Sequence, residues 1–342
     1  MRRHLLRCGR LGYLFVLASV VWGGRSVRGG TPYADAFTLL PVDAREVGLG
    51  QATMASVDDA TAFHWNPAGL GMVRSFDAAA SYSRLYAGLA SHQMVAVGAA
   101  VDQRLRVGLS WVRLGVDNIP AYAPFPAFSD ARSREEQAKQ GPIGTFGYSQ
   151  NAAYLTVAWQ TSREVALGWQ YLTLPMELPI GATIKYLAVS AGDTISGSAI
   201  GLDLGAQARF PLSRAFDNRL LGDMSLGLAI ANVGRTRMTW DTPSRRGDTE
   251  PMQLRYGAAY EQPLAIIRSA VVLAMSGAGA KRGWGLEYRF LDELSLRMGK
   301  DMIAENGVSF GAGIGWRGLR LDYALQRHDL GITHRVSLHY RH

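Results

Sequence analysis

The feature that most constrains this chain is a two-residue period. It recurs along nearly the whole length, and no apolar run after the N-terminus is long enough to cross a bilayer as a helix. The final stretch shows it plainly. Ile332, Val336, Leu338 and Tyr340 fall on one side, with His334 the one polar member; Thr333, Arg335, Ser337, His339 and Arg341 fall on the other. Successive strand side chains point to opposite faces, so this is a strand with one apolar and one polar face. Val308, Phe310, Ala312, Ile314 and Trp316 alternate in the same way with Ser309, Gly311, Gly313 and Gly315. A soluble sandwich would carry a long, charged second face; here that face is often Gly, Ser or Ala. The pattern predicts an all-β transmembrane antiparallel barrel.

The strands are expected near 76–87, 91–101, 104–117, 147–160, 178–190, 197–210, 222–232, 252–261, 266–276, 283–290, 293–301, 306–316, 318–326 and 332–341. That is about fourteen, an even number as bacterial outer-membrane barrels have. The longest connections, 118–146 and 233–251, fall on the side away from both chain ends. Residues 163–176 fit a fifteenth strand, an inserted hairpin arm or part of a plug. The third strand changes phase: Leu105, Val107, Leu109 and Trp111 are followed by Val112, Leu114 and Val116. A one-residue slip exchanges the faces, so a bulge or kink is expected at Trp111, Val112 and Arg113.

Composition narrows the partners. Charged residues make up 19% of the 342, against about 25% in ordinary soluble chains. The net charge is +8, of which residues 1–36 supply +5 through six arginines against Asp35. The small remainder gives no footprint for nucleic acid. The N-terminus reads as a signal peptide, residues 1–36: a basic start, then an apolar run from Leu11 to Trp22, too short to span a bilayer. The expected location is the cell outer membrane, with outer-membrane lipid as the first partner. Cys8 is the one cysteine, so the exported chain is expected to hold neither a disulfide nor a cysteine metal site.

Residues 37–75 differ in kind, with no sustained alternation. Asp58 or Asp59 is placed to cap a short helix over 60–65, which should end at Asn66 because Pro67 disfavours the α region before it. Gly69 or Gly71 can take the turn that follows. The predicted organisation is therefore a plug, 37–75, inside a barrel, 76–342. Trp111, Trp159, Trp169, Trp240, Trp284 and Trp316 are expected in the aromatic girdles.

Catalytic and cofactor chemistry leave no trace. The seven histidines are scattered, Gly277-Ala278-Gly279 opens no helix, and there is neither a P-loop nor a nucleophile elbow. No cofactor, metal site or catalytic residue is expected. Helix capping accounts for the Asp58-Asp59 pair.

The ordered set Val42-Asp43-Ala44-Arg45-Glu46-Val47-Gly48-Leu49-Gly50, Asp58-Asp59-Ala60 and Trp65-Asn66-Pro67-Ala68-Gly69-Leu70 resembles the N-terminal signature of PorV/PorQ-type outer-membrane proteins, relatives of the FadL channels. Gly181-x-x-x-Lys185-Tyr186, Asn232-Val233-Gly234, Leu286-Glu287-Tyr288-Arg289-Phe290, Leu321-Asp322-Tyr323-Ala324 and Thr333-His334-Arg335-Val336-Ser337-Leu338 extend the resemblance to the C-terminus. It implies a fourteen-stranded barrel with a hatch carrying Asp58, Asp59, Asn66, Pro67, Ala68, Gly69 and Leu70. It also implies one of two non-enzymatic functions. A PorV-like accessory of protein secretion would bind cargo proteins or secretion components, and this reading is set slightly ahead. A FadL-like channel would pass hydrophobic small molecules through a gap in the barrel wall.

Overall fold

A computed structural model describes residues 36–123, 131–166, 173–192, 195–241, 247–279, 281–291, 293–300, 307–328 and 331–342. The expected signal peptide and Trp169 lie outside the described residues. In chain order the described strands are β1 (Phe76–Leu85), β2 (Ala90–Ala100), β3 (Leu105–Ala121), β4 (Gly144–Trp159), β5 (Ser162–Ala166), β6 (Thr173–Glu177), β7 (Ile180–Ala191), β8 (Ile195–Pro211), β9 (Asp223–Ala231), β10 (Thr236–Trp240), β11 (Gly247–Glu250), β12 (Gln253–Leu264), β13 (Ser269–Ala278), β14 (Lys281–Phe290), β15 (Leu294–Lys300), β16 (Val308–Trp316), β17 (Leu319–His328) and β18 (Gly331–Arg341). β1 pairs antiparallel with both β2 and β18, so the sheet closes on itself. β4 pairs with β7, and β9 with β12. The hairpins β5–β6 and β10–β11 are therefore insertions, and the wall is a closed antiparallel barrel of fourteen strands.

Alternation decides which face each side chain takes. On β16, Val308, Phe310, Ile314 and Trp316 are exposed outward, while Ser309 is buried. On β17, Leu319, Leu321 and Tyr323 are exposed and Asp322 is fully buried. A belt of aliphatic side chains around a closed sheet suits lipid as its solvent. Trp111, Trp159, Trp284 and Trp316 join the outward face. The tight turn between β16 and β17 places Arg317 and Gly318 at φ 47° and 84°, the paired positive φ of a two-residue hairpin.

Three expectations change. The ladder runs unbroken through 109–114, on both the β2 and the β4 side of β3, so Trp111, Val112 and Arg113 form no kink. The register shift lies between Val116 and Ile119, where Asn118 has φ 59°. Val112 is apolar because it points into an apolar part of the lumen, not because the strand slips. Of the three readings of 163–176, the inserted hairpin arm is the one found, β5 pairing with β6; the loop over 233–251 holds β10 and β11. Trp240 faces inward and is no part of a girdle.

Residues 37–73 occupy the lumen. Nearly every one is buried; Leu39, Leu40, Arg45, Asp58 and Met72 are partly so. Helix α1 (Ala44–Gly48) is capped by Asp43, whose carboxylate accepts from Arg45 N. Helix α2 (Ala62–Trp65) is followed by a 3₁₀ segment, Pro67–Met72. Asn66 between them is extended, at φ −146° and ψ 101°, as the residue before a proline favours.

Candidate functional site

The candidate site is the lumen, and its floor is the plug. Several inward-facing glycines of the wall lie against plug backbone. A Cβ on Gly205 would stand 2.1 Å from Asn66 Oδ1, and one on Gly181 2.5 Å from the Pro67 carbonyl carbon. On the opposite wall a Cβ on Gly285 would stand 2.4 Å from Leu49 O. Side chains are absent there because the plug main chain takes their place.

The residues expected in the plug motif come together, with altered roles. Asn66 Oδ1 accepts from Ala68 N at 3.2 Å and closes the Asn-Pro turn. Ala68, Gly69 and Leu70 are buried in the 3₁₀ segment, where Leu70 lies in an apolar cluster with Val57, Ala62, Val73 and Ala158. Neither aspartate caps α2. Asp59 Oδ1 accepts from Thr61 N at 2.9 Å, a local turn. Asp58 is drawn instead to Arg341 of β18, 3.4 Å away. The helix consequently begins at Ala62, two residues later than expected.

The lumen wall divides into two sectors. On β14–β18 it is ionic. Glu287, Arg297 and Asp322 form a buried chain, with Arg297 Nε 2.7 Å from Glu287 Oε1 and Nη1 2.6 Å from Asp322 Oδ1. Arg45 of the plug joins it through Glu287 at 3.2 Å. Nearby, His339 Nε2 meets Asp43 Oδ1 at 2.8 Å, and Ala44 N donates to Ser337 Oγ at 2.8 Å. Burial works against the Asp43 charge, but the adjacent His339 outweighs it and holds the carboxyl well below the usual range. This sector anchors the N-terminal half of the plug by charge-assisted hydrogen bonds.

On β2, β3, β4, β7, β8 and β10 the lumen carries an apolar cluster, beside buried polar groups such as the Lys185–Asp203 pair. Met94, Val112, Tyr154, Leu187, Val189, Ala199 and Met238 form one buried cluster with Phe37, Val42 and Phe63 of the plug. Leu40, Leu114, Tyr148 and Trp240 cover its edge and are half-buried. Phe63 and Tyr154 have ring centroids 4.6 Å apart. Sequence reasoning missed the wall side of the cluster. The signal was the change of phase in β3, where apolar residues appear on both faces because both meet apolar surroundings.

Between the sectors lies a buried polar knot. Trp65 Nε1 donates to Glu46 Oε1, Val42 N donates to Glu46 Oε2 at 2.9 Å, and His64 Nε2 stands 3.4 Å from Oε1. Burial raises the Glu46 carboxyl to about 8 against these donors. It also lowers His64 well below its ordinary value. The contact is therefore between a neutral acid and a neutral imidazole at pH 7, not an ion pair. Among the described residues no group of three or more His, Cys, Asp or Glu side chains is placed to hold a metal ion.

No family model and no curated protein matches the chain. Among solved structures the fold is similar to a deletion mutant of the TodX monoaromatic hydrocarbon channel, at 12% identity over 90% of this chain and 100% of that one, TM-score 0.49. It is also similar to the Ralstonia pickettii toluene transporter TbuX, at 11% identity over 89% and 99%, TM-score 0.47. A Pseudomonas aeruginosa FadL homologue is similar at 10% identity over 88% and 99%, TM-score 0.45. The likeness is of fold alone.

Proposed function

We propose that the protein is an outer-membrane barrel that passes hydrophobic small molecules, with residues 37–73 as the plug that shifts to let them through. The observation that carries this reading is the apolar sector. A pore for ions or sugars is lined with polar groups. Here Met94, Val112, Leu187, Val189 and Met238 face inward and stack along the loop-side half of the lumen, down to Phe63 of the plug. Such a surface favours apolar molecules over water. The plug is held at the ionic sector by charge-assisted hydrogen bonds and at β8 by neutral ones from Asn66 and Gln207, so a plug that shifts gives up the neutral set more cheaply.

The secretion reading has less support. A cargo-binding accessory would carry its specificity in the outer loops. The described helix of the longest one, α3 (Ala131–Lys139), is charged, with Lys139 paired to Glu135 at 3.5 Å on an exposed face. That is an ordinary solvated helix.

Purified protein in liposomes tests the proposal. Protein-dependent passage of an uncharged hydrophobic fluorophore, with a disaccharide excluded, is the expected result. Equal rates with and without protein for the fluorophore would sink it.

A further inference from the structure

We infer that Trp240 is the selectivity residue of the lumen, the side chain that decides which molecules reach the apolar sector. The inference rests on the transport reading above and assigns it a control point.

The position arises from a fault in the wall. β9 pairs with β8 as far as Ile230 opposite Leu204, and β10 resumes on the same strand with Thr239 opposite Ser198. Between those pairs β8 advances six residues and the other chain nine, an excess of three. The excess forms a loop in which Asn232, Gly234 and Arg235 have φ of 56°, 76° and 70°. It is pinned from inside: Asn232 N donates to Asp203 Oδ1 at 2.7 Å, and Lys185 Nζ holds the same carboxylate at 3.0 Å. An odd excess exchanges the faces of everything after it. β9 points Ser225, Gly227, Ala229 and Ala231 inward, whereas β10 points Thr236, Met238 and Trp240 inward. An unbroken strand would have sent Trp240 to the lipid and Arg237 and Thr239 into the lumen.

The ring is seated as well as aimed. A Cβ on Gly197 would lie 2.7 Å from Trp240 Cε3, so the indole rests directly on the β8 backbone. Its Nε1 donates to Asp248 Oδ2 at 2.9 Å, which ties it to its own hairpin. Met238, two residues deeper, is 1% exposed. Trp240 is half-buried and, with Leu114 and Tyr148, forms the edge of the apolar cluster at the end away from Phe76 and Arg341. β10 is held to β8 at two paired positions, against eight for β9. Trp240 is thus a large apolar side chain on an inserted hairpin that joins β8 at two paired positions, covering the buried sector.

The test uses the full chain with Cys8→Ser, which removes its one cysteine, and Met238→Cys as reporter. Each variant is first checked for the heat-modifiable migration of a folded barrel. A membrane-impermeant maleimide should label position 238 at least about tenfold faster with Trp240→Ala, and at the parent rate with Trp240→Phe, because burial protects a thiol until the cover opens. Equal rates in all three overturn the inference. A second measurement omits the reporter. In proteoliposomes, Trp240→Ala should raise the ratio of three-ring to one-ring aromatic hydrocarbon passage by about tenfold, the scale on which apolar contacts discriminate. An unchanged ratio with measurable passage overturns the inference too. Labelling that responds to Trp240 while no variant passes any probe would keep Trp240 as the cover of the sector and sink the transport reading.

Discussion

Asn66 of the plug and Ala206 of β8 are joined by a hydrogen bond, Nδ2 to the Ala206 carbonyl at 3.1 Å, and the same amide group donates to Met54 O at 3.1 Å. One side chain thus links two turns of the plug to the wall. Asn66→Leu keeps the bulk and removes these bonds together with the cap on Ala68. Lost buried hydrogen bonds of this kind cost about 1–3 kcal/mol. A lower midpoint of urea unfolding in detergent, with unchanged barrel strand content by circular dichroism, is the expected outcome.

Gly205→Ala places a methyl where Asn66 Oδ1 and Pro67 Cδ already lie, 2.1 and 2.9 Å from the ideal Cβ. Overpacking of a tight interface costs about 1–3 kcal/mol. The plug should lift and leak, seen as an increase in single-channel conductance in a planar bilayer. Gly141→Ala alters a glycine with open space around it. Although strained by its φ of 84°, it should leave conductance at the parent level.

Face assignment predicts a contrast on β16. Ile314 is 55% exposed on the outer belt, so Ile314→Arg puts a charge into lipid, at a cost that rises with depth to about 2–4 kcal/mol at the bilayer midplane. A Cβ on Gly313 would stand 2.0 Å from Asp322 Oδ1 and beside Arg297. Gly313→Arg should instead break the buried ionic chain. Folding yields into bilayers of increasing thickness separate the two: only the Ile314 variant should worsen as its arginine is buried deeper.

Stability of the plug should fall as pH rises from about 5 towards 9. Glu46 is raised to about 8 by burial, from 4.5. A carboxyl raised in the folded state binds its proton more tightly there than in the unfolded chain. Its contribution is complete below 4.5 and is lost as pH climbs through 8. Asp43 works oppositely at the acid end: being lowered, it contributes above its unfolded value of 3.8 and loses that as pH falls. Glu46→Gln should flatten the alkaline limb of unfolding midpoint against pH and leave the acid limb as it was. An alkaline limb of the same slope in the variant would remove Glu46 as its cause.

The wall was legible in the sequence because a strand between lipid and lumen has two different solvents on its two faces, and Val308 to Trp316 or Ile332 to Arg341 record that difference residue by residue. The plug was legible as a break in the pattern. What escaped was whatever depends on a partner distant in sequence. Asp58 looks like a cap until Arg341 is beside it. Trp240 looks like a girdle residue, since nothing local reveals that three extra residues have reversed its strand. Val112 and Leu114 read as a slip because alternation assumes a polar lumen, and theirs is apolar.

The seam between β1 and β18 sets an order of assembly. Asp77 pairs with Arg341, Tyr82 with Val336 and Arg84 with His334, so the cylinder is sealed by the first and last of its described wall strands. The plug lies just before β1 in the chain, yet it binds β14–β18 through Arg45 and Asp43 and β8 through Asn66. A segment so tightly enclosed is not threaded into a finished cylinder. The wall has to wrap around it while the seam is open, which makes the plug a mandrel for the sheet, shaping the curvature of the strands that later confine it.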